Sequence, residues 1–546
     1  MAVSLTINGE AIEAAVGRSV FECADELGVT VPTSCQKQGK CKECIIEVAA
    51  GMELLSERSG EESHLKNEFR LSCCSRVAAE TGEIRCHTMR RGKMRIERHA
   101  FELPVSHAKL PLDPAVTRDG ERVLIDGVEV ARSQGPIYGL AMDLGTTTIV
   151  LRLFDLETGE LIADSSLENP QRFGGSDVMA RIQYDSTHPG KLLMRTLAGY
   201  LSRAIQEFPV DHKSIYELVV VGNSTMRDLF FRQDVYSIGQ SPYQSITEIE
   251  MAAGTRSTTS LTQTGRKSLL PIHPEARVYG LPIISGHLGA DAAACMLAVD
   301  LAHEDRVVAV MDIGTNTELV VGNRNRILAA SCPAGPAFEG GAIACGMPGL
   351  DGAIESVSLN GSGEFHLGVI GEGTPEGICG SGLVDLMSEL VRSGRMNQMG
   401  RFEDGDRIVI DGKSNIYLTE SDVNELAQAK GANMAGLQTV FSNFGLAFDE
   451  IDVFYLAGGF GRHINVDAAR RIGLIPSLRD EKIVKVGNAA IAGACIALLS
   501  NAKRQELEQL VKRVEHCRLE THPHFFDFFV EGCQFKSVER ALEVAK

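Results

Sequence analysis

Three cysteines, Cys35, Cys41 and Cys44, fall in one short run, SCQKQGKCKEC (34–44), and an adjacent pair, Cys73 and Cys74, follows. The spacing is C-x5-C-x2-C, with 28 residues between Cys44 and Cys73. Thiolates grouped in this way bind metals or iron–sulfur clusters. A loop with Gly39 and small polar residues can wrap a 2Fe–2S cluster and aim backbone N–H groups at its sulfurs. Zinc also accepts four thiolates, but a zinc ribbon pairs one C-x2-C with another, and the second pair is missing. Spacing alone leaves Cys73 and Cys74 both open as the fourth ligand. Cys23 and Cys86 read as buried thiols.

A second kind of chemistry is written twice. IYGLAMDLGTTTIVLRLFDLETGELI is an apolar strand, a Gly-Thr turn, a second strand, a turn at Glu157-Thr158-Gly159, and a third strand. VVAVMDIGTNTELVVGNRNRILAAS repeats that design about 170 residues later, so Asp143-Leu144-Gly145-Thr146 corresponds to Asp312-Ile313-Gly314-Thr315. At a strand end, Asp can hold Mg²⁺ or orient a water. Gly lets backbone N–H groups approach phosphate oxygens, and Thr adds a hydroxyl donor. One such loop is often only a hairpin; two in matching frames imply a phosphate site. YLAGGFGRHI (455–464) adds a strand ending at Gly458-Gly459 and Gly461. SGHLGADAAACMLAV (285–299) and VGNAAIAGACIALLS (486–500) are small-residue helices that let two lobes approach closely. CPAGPAFEGGAIACGMPGLDGAI (332–354) and GICGSGLVDLM (377–387) read as packing loops at a lobe junction, or as cleft lining through Glu339 or the CGSG turn.

These loops need elements to hold them. AVSLTING alternates and turns at Asn8-Gly9, SVFECADELGV is a short helix, and CIIEVAAG, FRLSCCSRV and GEIRCHTM carry strands. Residues 1–92 are therefore a small β-rich module with one helix and a long cysteine loop. Residues 90–99 are locally basic, a solvated turn or a contact for an acidic partner. Residues 93–136 read as a proline-containing linker, with VLIDGVEV a small hairpin inside it. Residues 137–280 and 281–546 form the two lobes. LTESDVNELAQAKGANMAGLQTVF is a core helix with Thr419 as N-cap and Asp422 completing a capping box.

The chain has 546 residues and a formal charge of −18. That balance argues against nucleic-acid binding. No signal-peptide pattern opens the sequence, and the most apolar late stretch, about 15 residues, is short of a membrane span. The expected compartment is the cytoplasm, where disulfides are rare, so the 14 cysteines read as free thiols plus a metal site.

The N-terminal module resembles 2Fe–2S ferredoxin domains, with a cysteine loop like the adrenodoxin type. Cys73, in RLSC, matches the R-L-x-C of that family, so the resemblance assigns the cluster to Cys35, Cys41, Cys44 and Cys73. Residues 138–500, in the order phosphate loop, small helix, phosphate loop, Gly-Gly turn, small helix, resemble the actin/hexokinase-type ATPases. The fold implied is an α+β ferredoxin (β-grasp-like) domain followed by a duplicated, ribonuclease H-like α/β two-lobed ATPase. The resemblance assigns ATP and Mg²⁺ to Asp143 with Gly145, Thr146 and Thr147, and to Asp312 with Gly314, Thr315 and Thr317. Gly458 and Gly459 fall to the adenosine.

DLGTTT, ENPQ, VGNSTM, AGPAFEG, GICGSG and AGGFG together look like the reductive activators of corrinoid proteins. TMRDLF departs from that family, which carries His at or next to the position after Met226. The resemblance implies ATP-dependent reduction of Co(II) to Co(I) on a corrinoid protein of a methyltransferase system. It also implies a separate electron donor, no membrane partner, and room for a homodimer. Other readings are a 2Fe–2S redox protein or sensor on a non-hydrolysing actin-like fold, a small-molecule kinase, or a dehydratase activator. The kinase would not need the cysteine module, and the dehydratase activators hold a 4Fe–4S cluster between subunits.

Overall fold

The computed structural model describes residues 2–89, 112–459, 461 and 463–539. The basic run at 90–99 and the first part of the expected linker lie outside the described residues.

The N-terminal module is a five-stranded sheet with spatial order 10–14, 3–7, 82–88, 45–50, 69–71. Val3–Ile7 and Glu10–Ala14 form the hairpin expected at Asn8-Gly9, where Asn8 takes φ 52° and Gly9 φ 89°. Val3–Ile7 runs parallel to Gly82–Thr88, which a hairpin cannot connect, so the helix and the cysteine loop make the crossover. The helix Val20–Glu26 starts at Ser19, whose side chain accepts from Glu22 N while Glu22 returns to Ser19 N. Such a capping box is worth about 1 kcal/mol.

Two six-stranded sheets follow, and five strands of each share one topology. In the first, Tyr138–Leu144, Thr148–Asp155 and Leu161–Glu168 form an antiparallel meander. Ile215–Val221 adds parallel to the first strand, and Arg277–Gly280 adds parallel beyond it. In the second, Val308–Asp312, Thr317–Gly322 and Ile327–Cys332 repeat the meander, with Val453–Ala457 and Ile483–Gly487 parallel beside it. The duplicated sequence thus folds as a duplicated sheet. The helices Ala290–Ala298 and Ala489–Leu499 pack together between the halves. A Cβ on Gly493 would lie 2.0 Å from Ala294 O, so this crossing requires glycine.

Two regions differ from the sequence reading. Residues 112–136, expected as linker with one hairpin, form a three-stranded sheet (Val116–Asp119, Arg122–Ile125, Val128–Arg132). Val116 and Val123 are buried in the same core as the two small-residue helices, and Asp113 N donates to Leu499 O. GICGSG is a two-residue strand leading into a regular helix, Gly380–Arg392, whose apolar face the glycines obscured. Thr419 and Asp422 make the expected capping box on Glu420–Phe444.

The module does not stand apart. Its core runs without a break into the core of the first half, from Val3 through Val278. One face of the helix Leu192–Gln206 receives the cysteine loop. Arg195 Nη2 donates to Cys41 O, Thr196 Oγ1 to Lys42 O and Tyr200 Oη to Ile45 O, each at 3.4 Å. Gly199 leaves space there for Glu43.

Candidate functional site

The cysteine loop is shaped by left-handed backbone. Gln36, Lys37, Gly39 and Lys42 all have φ between 53° and 71°. These turns bring four thiols together as two pairs. Cys44 Sγ and Cys73 Sγ are 3.2 Å apart, and Cys35 lies in hydrogen-bond contact with Cys41. Burial disfavours the Cys35 thiolate, but backbone N–H groups of Cys41, Gln38 and Lys40, with the Cys41 side chain, bring it down to about 7. The Cys73 side chain, against burial, brings Cys44 down to about 7. Paired thiols with backbone donors aimed at them suit two irons with two thiolates each, so the residues present fit a 2Fe–2S cluster. Cys73 is the member of the adjacent pair that meets Cys44. Cys74 is half-buried, 3.8 Å from Cys73 Sγ, and packs on Gly39. Cys23 and Cys86 are buried in the module core, as expected.

The second site is a cavity of about 610 Å³ between the two halves. Asp143, Gly145, Thr146, Thr147, Asp312, Gly314, Thr315, Gly458 and Gly459 all line it. Thr317, assigned with them by resemblance, does not: it begins a strand, is fully buried, and lies off the cavity wall. Each Asp-x-Gly-Thr loop is backed by a glycine at the end of the neighbouring strand. A Cβ on Gly458 (φ 114°) would lie 2.3 Å from Ile313 O, and one on Gly222 (φ 147°) would lie 2.5 Å from Leu144 O. Glycine is therefore required on steric grounds at both equivalent places.

Sequence reasoning missed several residues that hold these loops. Asn223 Nδ2 donates to Thr146 Oγ1 at 2.9 Å and Asn169 Nδ2 to Gly145 O at 2.8 Å. Arg181, fully buried, donates to Thr146 O at 2.7 Å. Asn488 caps the Ala489–Leu499 helix and donates to Asp143 Oδ2 at 2.7 Å. Asp291, in the first turn of Ala290–Ala298, and Glu318 complete an acidic wall. The available signal was position alone: Asp291 and Asn488 both open the small-residue helices.

This wall is costly as anions. Burial pushes Asp143 up to about 7, with Asn488 opposing and Asp312 reinforcing. Burial likewise raises Asp291 to about 7, where nearby Asp143 and Asp312 add to it. Burial takes Asp312 to about 6 against a hydrogen bond from Cys295. Buried carboxylates sharing one cavity are relieved by a cation or by protons. The donor set, carboxylate oxygens beside hydroxyls and glycine turns, fits a hard divalent ion such as Mg²⁺ with a polyphosphate. Arg227 is fully buried and pairs with Asp228 while holding Thr259 O and Leu281 O.

A cysteine-loop module fused to a duplicated, two-lobed sheet protein with paired Asp-x-Gly-Thr loops defines a 2Fe–2S ferredoxin joined to an actin/hexokinase-like domain. Family profiles agree with that architecture. A 2Fe–2S iron–sulfur cluster binding domain matches residues 5–78, the RACo middle region matches 138–304, and the C-terminal domain of RACo, the ASKHA domain, matches 306–544. The chain belongs to the RACo family of reductive activators of corrinoid proteins.

A corrinoid activation enzyme, RamQ, of Eubacterium limosum is 27% identical over 600 residues, covering 98% of this chain and 99% of that protein. The [Co(II) methylated amine-specific corrinoid protein] reductase of Methanosarcina barkeri is 25% identical over 75% of this chain and 80% of that protein. The solved structure of a reductive activator for corrinoid, iron–sulfur protein superposes with a TM-score of 0.71 at 25% identity, covering 98% of both chains. Among the described residues no helix is long and apolar enough to cross a membrane.

Proposed function

We propose that this chain is an ATP-dependent reductive activator of a corrinoid protein in a methyltransferase system. One electron passes from a 2Fe–2S cluster to Co(II), regenerating Co(I) for methyl transfer. Cys35, Cys41, Cys44 and Cys73 hold the cluster, which when bound supplies one electron at a time. An external low-potential donor restores that electron. The setting is cytoplasmic.

The carrying observation is the seat of the cysteine loop. Arg195, Thr196 and Tyr200 hold it against the half of the protein that also carries the first phosphate loop. A nucleotide that binds the closed lobes more tightly than the open ones shifts their equilibrium. A module packed on one lobe then moves with it. Reducing Co(II) is uphill for an ordinary 2Fe–2S donor, and this is where ATP enters the account.

In the cleft, Gly145, Thr146, Thr147, Gly314 and Thr315 bind the phosphates, and Gly458 with Gly459 faces the adenosine. Asp143 and Asp312 would hold Mg²⁺, which would supply positive charge against the phosphates. Asp291, on the same cavity wall, would orient the attacking water and take its proton at a carboxylate oxygen. The acidic wall favours this hydrolytic reading over a sensor with a silent ATPase fold.

The test is ATP turnover with and without a corrinoid protein. Wild type should turn over, and Asp312→Ala should not, while keeping the visible spectrum of the cluster. A wild type with no turnover under either condition would contradict the reading.

A further inference from the structure

Glu339 sits between two threonines from opposite halves of the protein. Its Oε2 accepts from Thr147 Oγ1 at 2.9 Å and also from Thr315 Oγ1. The two hydroxyl oxygens are themselves 3.0 Å apart. Thr147 belongs to the first phosphate loop and Thr315 to the second, so one carboxylate joins both. A hydroxyl has one proton to donate, and a threonine that gives it to Glu339 cannot give it to a phosphate oxygen. The carboxylate offers the same acceptor chemistry as the edge of a phosphate.

Left-handed glycines bound the turn that carries Glu339. Ala337–Glu339 is a single helical turn between Gly335 (φ 80°) and Gly340 (φ 83°). Beyond it, Ala344 N donates to Asp422 Oδ1 at 2.8 Å and Met347 N to Ile378 O at 3.0 Å. The turn therefore runs directly into segments fastened to the second half. Arg181, which holds Thr146 O from behind, acts on Glu339 as a cation, and Asp312 opposes it.

We propose that Glu339 is a latch on the nucleotide site. Its carboxylate stands in for the terminal phosphate, pins the two phosphate loops to each other, and is displaced by a nucleoside triphosphate but not by a diphosphate. This rests on the reading of the cleft as an ATP site. Displacement swings the glycine-flanked turn, so the wall of the second half responds to the γ-phosphate itself. An internal competitor lowers apparent affinity by the fraction of molecules in which it is closed.

The experiment is calorimetric titration of the full chain with Mg-ATP and with Mg-ADP, for wild type, Glu339→Ala and Glu339→Gln. Glu339→Ala should tighten Mg-ATP about tenfold and Mg-ADP less than about twofold. Glu339→Gln keeps the shape of the turn and loses the charged acceptor, and should tighten Mg-ATP about threefold. Mg-ATP bound equally or more weakly by both variants would overturn the latch and make Glu339 a supporting ligand. Equal tightening of ATP and ADP would overturn its selectivity for the terminal phosphate. A wild type that binds neither nucleotide would overturn the nucleotide site, and the latch with it.

Discussion

Tyr184 donates its hydroxyl to the carbonyl of His64 at 3.1 Å, across the boundary between the first lobe and the ferredoxin module. Three residues earlier on the same helix, Val178–Thr187, Arg181 holds the carbonyl of Thr146 in the first Asp-x-Gly-Thr loop. On the segment before it, Asn169 N donates to Thr147 O, and Arg172 pairs with Glu47 of the module at 3.4 Å. Residues 169–184 therefore touch the first Asp-x-Gly-Thr loop on one side and the module on the other.

Tyr184→Phe tests that contact with little else disturbed, because the ring keeps its packing on Phe173 and His188. Losing the hydroxyl should cost about 1 kcal/mol of docking. Amide hydrogen exchange around residues 41–47 and 62–66 should then quicken about fivefold. Unchanged exchange would mean that the bond does not hold the module.

The adjacent cysteines give a second prediction. Cys73→Ser should abolish or distort the visible spectrum and lower the iron and sulfide content from about two of each per chain. Cys74→Ser should leave both nearly intact, since its thiol packs on Gly39 and reaches only Cys73, at 3.8 Å, while Cys73 meets Cys44 at 3.2 Å. The reverse result would move the ligand to Cys74. Stoichiometric zinc after anaerobic purification would remove the cluster assignment altogether.

The acidic wall predicts a pH-dependent stability with a definite sign. Asp291 has its carboxyl raised from 3.8 to about 7 in the folded chain. The folded state thus binds that proton more tightly than the unfolded one. The stabilisation is fully present below about 4 and is lost as pH rises through about 7. Without divalent ions, Asp291→Asn should be more stable than wild type at pH 8, by on the order of 1–2 kcal/mol, with the difference vanishing toward pH 4. Thermal unfolding of both proteins across that range checks it. Saturating Mg-ATP should cancel the advantage at pH 8.

Much of this was legible in the sequence because it is local. The cysteine loop carries three of the four candidate ligands within ten residues, and the duplicated Asp-x-Gly-Thr strands announce themselves by repetition. The Thr419 capping box is likewise a matter of three residues. What stayed hidden depends on tertiary packing. Asp291 and Asn488 open alanine-rich helices that look purely structural until they are packed against the loops. Gly222 ends a strand like many glycines do, and only the carbonyl of Leu144 beside it shows why a side chain is excluded. Residues 112–136 contain short strands whose burial comes from a helix nearly 400 residues later, so their pattern alone suggests linker. The docking of the cysteine loop on Leu192–Gln206 uses backbone carbonyls, which no side-chain pattern encodes.

The central claim is that electron delivery to cobalt depends on ATP. Its most direct measurement is the Co(I) absorption band of a purified corrinoid protein, mixed with this chain and a low-potential reductant, with and without Mg-ATP. The account predicts Co(I) only with Mg-ATP in the wild type, and none with Asp312→Ala despite a reducible cluster or with Cys41→Ser despite retained nucleotide binding. Equal accumulation of Co(I) without nucleotide would contradict it and leave a simple electron carrier on an idle ATPase fold.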